Sequence, residues 1–463
     1  MIDRDVLERV LAGALRTGAD FAEVYAEDKR STSAALDDGR VEQVTSGRDR
    51  GAGIRVVAGE TTGYAHTADL SEPGLRAAAE AAAAAAAQGD GLARVIALTP
   101  RGRHVVNTVE QVPGGVPKAD KVEILRRVDD AARSAGNEIV QVSAGYGDSH
   151  KRVLIANTDG LLADDEQVRV LVRISAVASG DTGMQTGYQS MGHTVGWEIF
   201  DTVHPEDLAR DAARQAITKL QARPAPSGAI PVVIARGTGG VLFHEACGHG
   251  LEADHVAKGA SVYRGKVGEL VASPLVTLVD DGTLAGEWGT LGIDDEGHPT
   301  QRNTLIEDGV LTDYMWDFLR ARKDGRPQSG NGRRQSYMHL PMVRMTNTFV
   351  LDGPDDPDDI VAATDHGVYV AKLGGGQVNT ATGDFVFGMT EAYLIEGGEI
   401  TAPLREGNLI GNGPQVLRDI DMLGNDFAMG NPGTCGKDGQ GVPVGDGQPT
   451  LRVSALTVGG TAA

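Results

Sequence analysis

The residues of this chain best suited to chemistry lie in one short segment, Gly239-Gly240-Val241-Leu242-Phe243-His244-Glu245-Ala246-Cys247-Gly248-His249-Gly250-Leu251-Glu252-Ala253-Asp254-His255. It contains His-Glu-x-x-x-His. Two neutral imidazoles suit a zinc ion, and Glu245, beside the first of them, could take a proton from a metal-polarised water. The spacing makes a structural demand. In the familiar zinc-protease pattern the histidines are one residue closer and share a helical face. His244 and His249 are five positions apart, which an ideal α-helix separates by about 140°. They converge only if the helix widens as a π-bulge or breaks near Gly248.

A catalytic zinc takes three protein ligands and keeps one position open. Candidates for the third are His255, Cys247 inside the motif, Glu252, Asp254, and the remote Cys435 in Gly433-Thr434-Cys435-Gly436-Lys437. Spacing does not choose among them. The plainer alternative makes the histidines polar residues at a helix end and Cys435 a small buried side chain.

The elements that must position these groups fall into two parts. Val6, Leu7, Val10, Leu11, Ala14 and Leu15 recur at helical spacing after Asp3. Short β-like runs follow to His66, with a hairpin signal at Asp38-Gly39. Helices are expected at about 72–88, 118–135 and 205–222, with strands at Ile139–Ser143, Val153–Ala156, Gln167–Ala176 and Gly187–Thr194. The Pro/Gly-containing stretch Arg223 to Gly228 marks a boundary. Beyond it the pattern is β-like, with strands expected at Ile230–Ala235, Leu275–Asp280, Thr348–Leu351, Phe385–Phe387 and Ala392–Glu396. Turn signals stand at Asp308-Gly309 and Glu396-Gly397-Gly398-Glu399. Gly374-Gly375-Gly376 lacks the Lys-Ser/Thr of a phosphate loop and reads as a tight turn. Asp280-Asp281 and Asp294-Asp295-Glu296 read as solvent-facing acidic turns. The fold class is α+β in two domains: residues 1–223, an antiparallel sheet with helices, and residues 224–463, a mainly β domain carrying the metal motif.

Composition narrows the function. The 463 residues include 43 basic and 64 acidic side chains, a net charge of −21, which disfavours direct contact with nucleic acid or an anionic membrane. Two cysteines exclude a disulfide framework. Neither a signal peptide nor a membrane-spanning run is visible, so a cytoplasmic location is expected. Strand candidates in both halves need covered edges, for which a closed oligomer is one solution.

The segment Gly240–Val256 resembles the TldD/PmbA family, in its metal-binding TldD-type branch. The resemblance continues in Gly330-Asn331-Gly332-Arg333-Arg334 through Thr348, in Gly374–Val378, Glu391–Glu396 and Leu409–Gly413, and in Cys435-Gly436-Lys437 through Thr450. It implies a metalloprotease whose zinc, one per chain, is held by His244, His249 and the distant Cys435, with Glu245 as general base. The family's thiolate is the distant one; Cys247 stands where relatives can carry an apolar residue. The resemblance further implies flexible or unfolded peptide substrates. It also implies a dimer, with a PmbA/TldE-like paralogue lacking the motif or with a second copy of itself. Within it, Arg333 and Arg334 could receive a substrate carboxylate, and Tyr337, His339 and Arg344 are candidate oxyanion stabilisers. The rival reading is a non-catalytic peptide-binding or regulatory subunit of such a complex, and the intact His244-Glu245, His249 and Cys435 argue against it.

Overall fold

The computed structural model describes residues 1–87, 96–181, 183–379, 381–405 and 407–459, and the fold is α+β. A seven-stranded sheet dominates the first part. Its order runs Thr61–Thr67, Arg40–Ala58, Phe21–Asp37, Ile139–Asn157 and Leu161–Gly180, with Gly183–His193 and the short Thr99–Pro100 also on that last strand. All pairings are antiparallel except that of Thr99–Pro100. Asp38-Gly39 forms the expected two-residue hairpin turn. The strands are longer than the sequence suggested: Ile139–Ser143 and Val153–Ala156 are two ends of one strand. The residues between them look turn-like, yet Ala144, Tyr146 and Asp148 alternate into the interior. Asp148 is tolerated there because Lys121 pairs with it at 2.6 Å.

Helices Arg4–Ala14, Glu72–Ala86, Lys118–Arg133 and Pro205–Leu220 pack on one face of the sheet through small side chains. The second was expected to reach residue 88, which lies outside the described residues. Ala209, Ala212, Ala213 and Ala216 bring the last helix so close that a Cβ on strand residue Gly187 would sit 1.8 Å from the Ala212 carbonyl oxygen. Scarce aromatics and abundant alanine and glycine are the compositional trace of this close approach.

The second part is mainly β. Strands His366–Val378, Gly228–Ile234, Leu451–Gly459, Gly407–Asn412 and Asp384–Glu396 pair in that order, and the last pairs back with the first, closing a ring. Closure removes sheet edges. Glu399–Arg405 extends this sheet, and Arg223–Pro224, read from sequence as a linker, pairs in parallel with it. Gly374-Gly375-Gly376 is not a tight turn. It lies within His366–Val378, whose register against the neighbouring strand shifts there, so the small residues form an irregularity in a strand. A further sheet contains Arg302–Glu307, Leu278–Asp281, Asn347–Val350 and Gln440–Gln448, and Gly433–Lys437 pairs with this last strand as a ribbon.

The acidic runs correct the sequence reading most sharply. Asp280, Asp281, Asp294, Asp295 and Glu296 are all buried. Asp280 accepts hydrogen bonds from Asn331, Thr346 and Thr348, and Asp294 from the backbone of Glu296, His298 and Gly332. Asp295 and Glu296 meet the first sheet. There Glu23, Tyr25 and Glu27 project from the face opposite the helices, because side chains alternate along a strand. Arg55 pairs with Glu23 at 2.9 Å and with Glu296 at 2.8 Å, Arg334 pairs with Glu23 at 2.5 Å, and Tyr25 donates to Asp295 at 3.2 Å. Removing one partner of a buried pair strands the other charges, at a cost of about 3–5 kcal/mol. Glu23→Ala is therefore expected to lower unfolding stability by that amount in denaturant melts; a loss below about 1 kcal/mol would show that the network does not hold the two parts together.

Candidate metal centre

Helix Gly240–Ala246 ends at Cys247, whose φ of −126° and ψ of −51° leave the helical range, and a 3-10 turn spans Gly248–Leu251. The helix breaks rather than widens. At Gly248 the Met345 sulfur lies 2.1 Å from where a Cβ would stand, so a side chain there would displace the end of Met345. The break swings His249 back toward His244, and their ring centroids are 5.1 Å apart at 84°. Cys435 arrives on the ribbon Gly433–Lys437, with its Sγ 3.4 Å from His249 Nε2. The ligand atoms of His244, His249 and Cys435 all lie within 4.8 Å of one another, and all three residues are buried.

The surroundings bias these groups toward metal binding. Burial opposes ionisation of Cys435, but the adjacent His244 and His249 override it and bring the thiol down to about 4. Cys247 has no such neighbours, and burial pushes its thiol up to about 12. Glu252 Oε2 meets His249 Nδ1 at 3.0 Å and fixes the ring. Burial resists ionisation of Glu252 too, yet His249 and Lys437 hold it near 2. Lys437 Nζ bridges Glu252 Oε2 at 2.9 Å, Asp254 Oδ1 at 2.7 Å and the Val343 carbonyl at 3.0 Å. This ammonium occupies the acidic side of the second group that could hold a cation, Glu252, Asp254 and His255. His255 Nδ1 faces the His249 carbonyl at 3.0 Å, away from the triad.

Glu245 is partly exposed, with Oε2 3.8 Å from His249 Nε2. Asp446 is buried close by; burial pushes its carboxyl up to about 7, His244 opposing the shift and Glu245 adding to it. A hollow of about 270 Å³, lined by Val241, Gly374, Gly375 and Asp446, opens on this side. The remaining sequence candidates are spread out. Arg344 holds the Cys435 carbonyl. Arg333 donates to the carbonyls of Met345 and Pro443. Arg334 is engaged by Glu23. Tyr337 packs among Tyr25, Val153 and Ile293, and His339 Nδ1 meets Ser336 Oγ at 2.9 Å. Sequence reasoning weighed Glu252 as a ligand; its i+3 spacing from His249 was the available signal for a ring-orienting carboxylate. Lys437 and Asp446 carried no signal beyond their proximity to Cys435 and to the glycine-rich run.

Both ring nitrogens of His244 are buried without a hydrogen-bond partner among the described residues. An imidazole so placed beside a second imidazole and an ionisable thiol fits a zinc ion's donor set. Such a centre, flanked by a carboxylate, belongs to the metal-dependent hydrolases.

The comparisons agree. Residues 227–460 match the PmbA/TldA metallopeptidase C-terminal domain, residues 112–220 the central domain and residues 22–86 domain 1. The chain belongs to the PmbA/TldD family and is a metallopeptidase. It is 42% identical to the metalloprotease TldD homolog of Haemophilus influenzae, covering 96% of this chain and 93% of that protein. It is 26% identical to the zinc metalloprotease TldD homolog of Saccharolobus solfataricus, covering 96% and 97%. Among solved structures, TldE from Thermococcus kodakarensis aligns with a TM-score of 0.77 at 18% identity, over 98% of this chain and 99% of that one. A Thermotoga maritima protein described as a candidate modulator of a DNA gyrase aligns at 0.82 and 22%, over 98% and 99%.

The geometry separates the two cysteines experimentally. Cys435→Ala and His249→Ala are expected to abolish stoichiometric metal in elemental analysis, while Cys247→Ala retains it. Full occupancy in the Cys435→Ala protein would remove Cys435 from the ligand set.

Proposed function

We propose that this metallopeptidase holds one zinc ion per chain in His244, His249 and Cys435 and hydrolyses peptide bonds in flexible segments, with Glu245 as general base. The observation that carries the reading is the convergence of two imidazoles and a low-pKa thiol from segments 186 positions apart, with a partly exposed carboxylate at their open side. When bound, zinc supplies Lewis acidity and makes an attached water more acidic. The protein's own groups do the rest. Glu252, held by Lys437, fixes the tautomer and orientation of His249. Arg344 pins the ribbon through the Cys435 carbonyl. Glu245, the carboxylate open to solvent beside the ligands, accepts the proton from the attacking water and returns it to the leaving amine.

The centre is walled by several chain segments, which favours an extended peptide that pairs its backbone with a strand edge over a folded domain. The solved TldE with the same fold supports a dimer with a paralogue that lacks the zinc motif, and a cavity shared between subunits would likewise restrict entry to flexible chains. We place this activity in the cytoplasm; among the described residues no helix is long and apolar enough to cross a membrane.

Two outcomes follow. Glu245→Gln keeps size and polarity but accepts no proton, so peptide turnover is expected to fall by about 10²–10⁴-fold with metal content unchanged; near-normal turnover would assign the base elsewhere. Co-purification from the native host and mass measurement are expected to yield an active dimer with the motif-less paralogue; a fully active monomer would overturn the assembly.

A further inference from the structure

Outside the candidate metal centre, cations gather on the sheet face that meets the second part. Lys29, Lys151 and Gln167 stand directly opposite one another across three antiparallel strands, and Ser31, Ser149 and Arg169 form the next row. Like charges facing each other across strands are destabilising; Lys151 is compensated by Asp295 at 3.5 Å and donates to the Tyr25 hydroxyl, which leaves Lys29 as the lysine without an ion pair in this row. These rows form one wall of a pocket of about 390 Å³, and Arg333, Gln335, Thr434 and Pro443 form the other. That volume matches sites for residue-sized ligands.

The carboxylates on this pocket are already engaged. Asp148 is paired with Lys121, and Asp295 accepts from Tyr25 and from the Arg334 backbone. Two of the cations are not matched. Among the described residues Arg169 bonds only to Gln167 and to the carbonyls of Trp288 and Thr290. Arg333 bonds only to two carbonyls, and its Nε is buried with no partner. Lys29 makes no ion pair among the described residues. Burial, with Arg333 adding to it at Arg169 and Arg344 at Arg333, brings both guanidinium groups down to about 10, and the nearby carboxylates, Asp295 at both, only partly oppose the shift. The pocket shares the ribbon of the metal centre: Thr434 precedes Cys435, and Pro443 and Val442 face these two residues across it.

We propose that this pocket receives a carboxylate of the peptide being cut, from either its chain terminus or an acidic side chain, through Lys29, Lys151, Arg169 and Arg333. The assignment rests on the peptidase reading above for the identity of the ligand, and it makes the enzyme selective for an anionic group at a set distance from the scissile bond.

The test uses zinc-loaded Glu245→Gln full-length protein and three fluorescent peptides of one sequence. One has a free C-terminal carboxylate and no acidic residue, one is its C-terminal amide, and one is the amide with a single glutamate. Anisotropy titration is expected to show about tenfold or more tighter binding of a carboxylate-bearing peptide than of the neutral amide, the winning arm naming the source. Lys29→Gln, at an exposed position, and Arg169→Gln are each expected to shrink that ratio toward one. Equal affinities for all three peptides, or a ratio unmoved by both substitutions, would overturn the pocket. Turnover by the wild-type chain in its co-purified complex separates the two readings: cleavage without carboxylate preference refutes the pocket alone, whereas preference without cleavage of any peptide refutes the peptidase reading alone.

Discussion

A thiol that ionises inside a protein needs positive charge around it, because burial alone drives it the other way. Cys435 meets this need with His244 and His249, and much of the second part is arranged to keep the three together. The ribbon that carries Cys435 is tied down by cations on both sides: from other segments Arg344 grips the Cys435 carbonyl and Arg333 the Pro443 carbonyl, and from the ribbon itself Lys437 reaches out to Glu252, Asp254 and the Val343 carbonyl. Each tie joins the ribbon to either the histidine segment or the stretch from 333 to 344. The candidate metal centre is thus the meeting point of three segments, each fixed by charge-assisted bonds to carbonyls or carboxylates.

The same device recurs at larger scale where the sheet of the first part meets the second. Glu23, Arg55, Arg334, Asp295 and Glu296 form a buried network whose members come from both parts. Buried ion pairs add little net stability over apolar packing, but a mismatched one is costly, and that asymmetry makes them effective at setting register. In Phe21–Asp37 a slip of one residue would turn Glu23 and Glu27 toward the alanine-rich helices and Ala22, Val24 and Ala26 toward the network. The correct register is the one that brings Glu23 to Arg55 and Arg334.

This explains what was legible in the sequence and what was not. The five-residue histidine spacing required a distorted helix, and the break at Cys247 and Gly248 answers that requirement. The hairpins at Asp38-Gly39 and Gly397-Gly398 and the four helices of the first part follow from local signals. The third partner of the histidines was not readable from spacing, because a contact across 186 positions leaves no local trace; only the likeness to a family singled out Cys435. The acidic runs were misread for a related reason. Asp294-Asp295-Glu296 looks like a solvated turn until Arg55, Tyr25 and Arg334 are brought to it, and those lie far away in the chain. The long strands were read as short ones because their middles carry glycine and charge, and it is tertiary pairing that makes such residues acceptable in a sheet.

The glycine-rich composition also belongs to the site. Ligand atoms from three segments can crowd together only where backbones approach closely, and the start of the histidine helix does so. A Cβ on Gly240 would lie 2.3 Å from the Gly447 nitrogen and 2.4 Å from Asp446 Oδ1. The helix therefore rests directly on the strand that pairs with the Cys435 strand, and His244, about one turn further on, is delivered over the ribbon. A larger residue at 240 would lift the helix, separate His244 from Cys435 and leave a buried thiol with less of the positive charge that ionises it. Tight packing and electrostatics are therefore not independent contributions here. The first sets the distance at which the second can work.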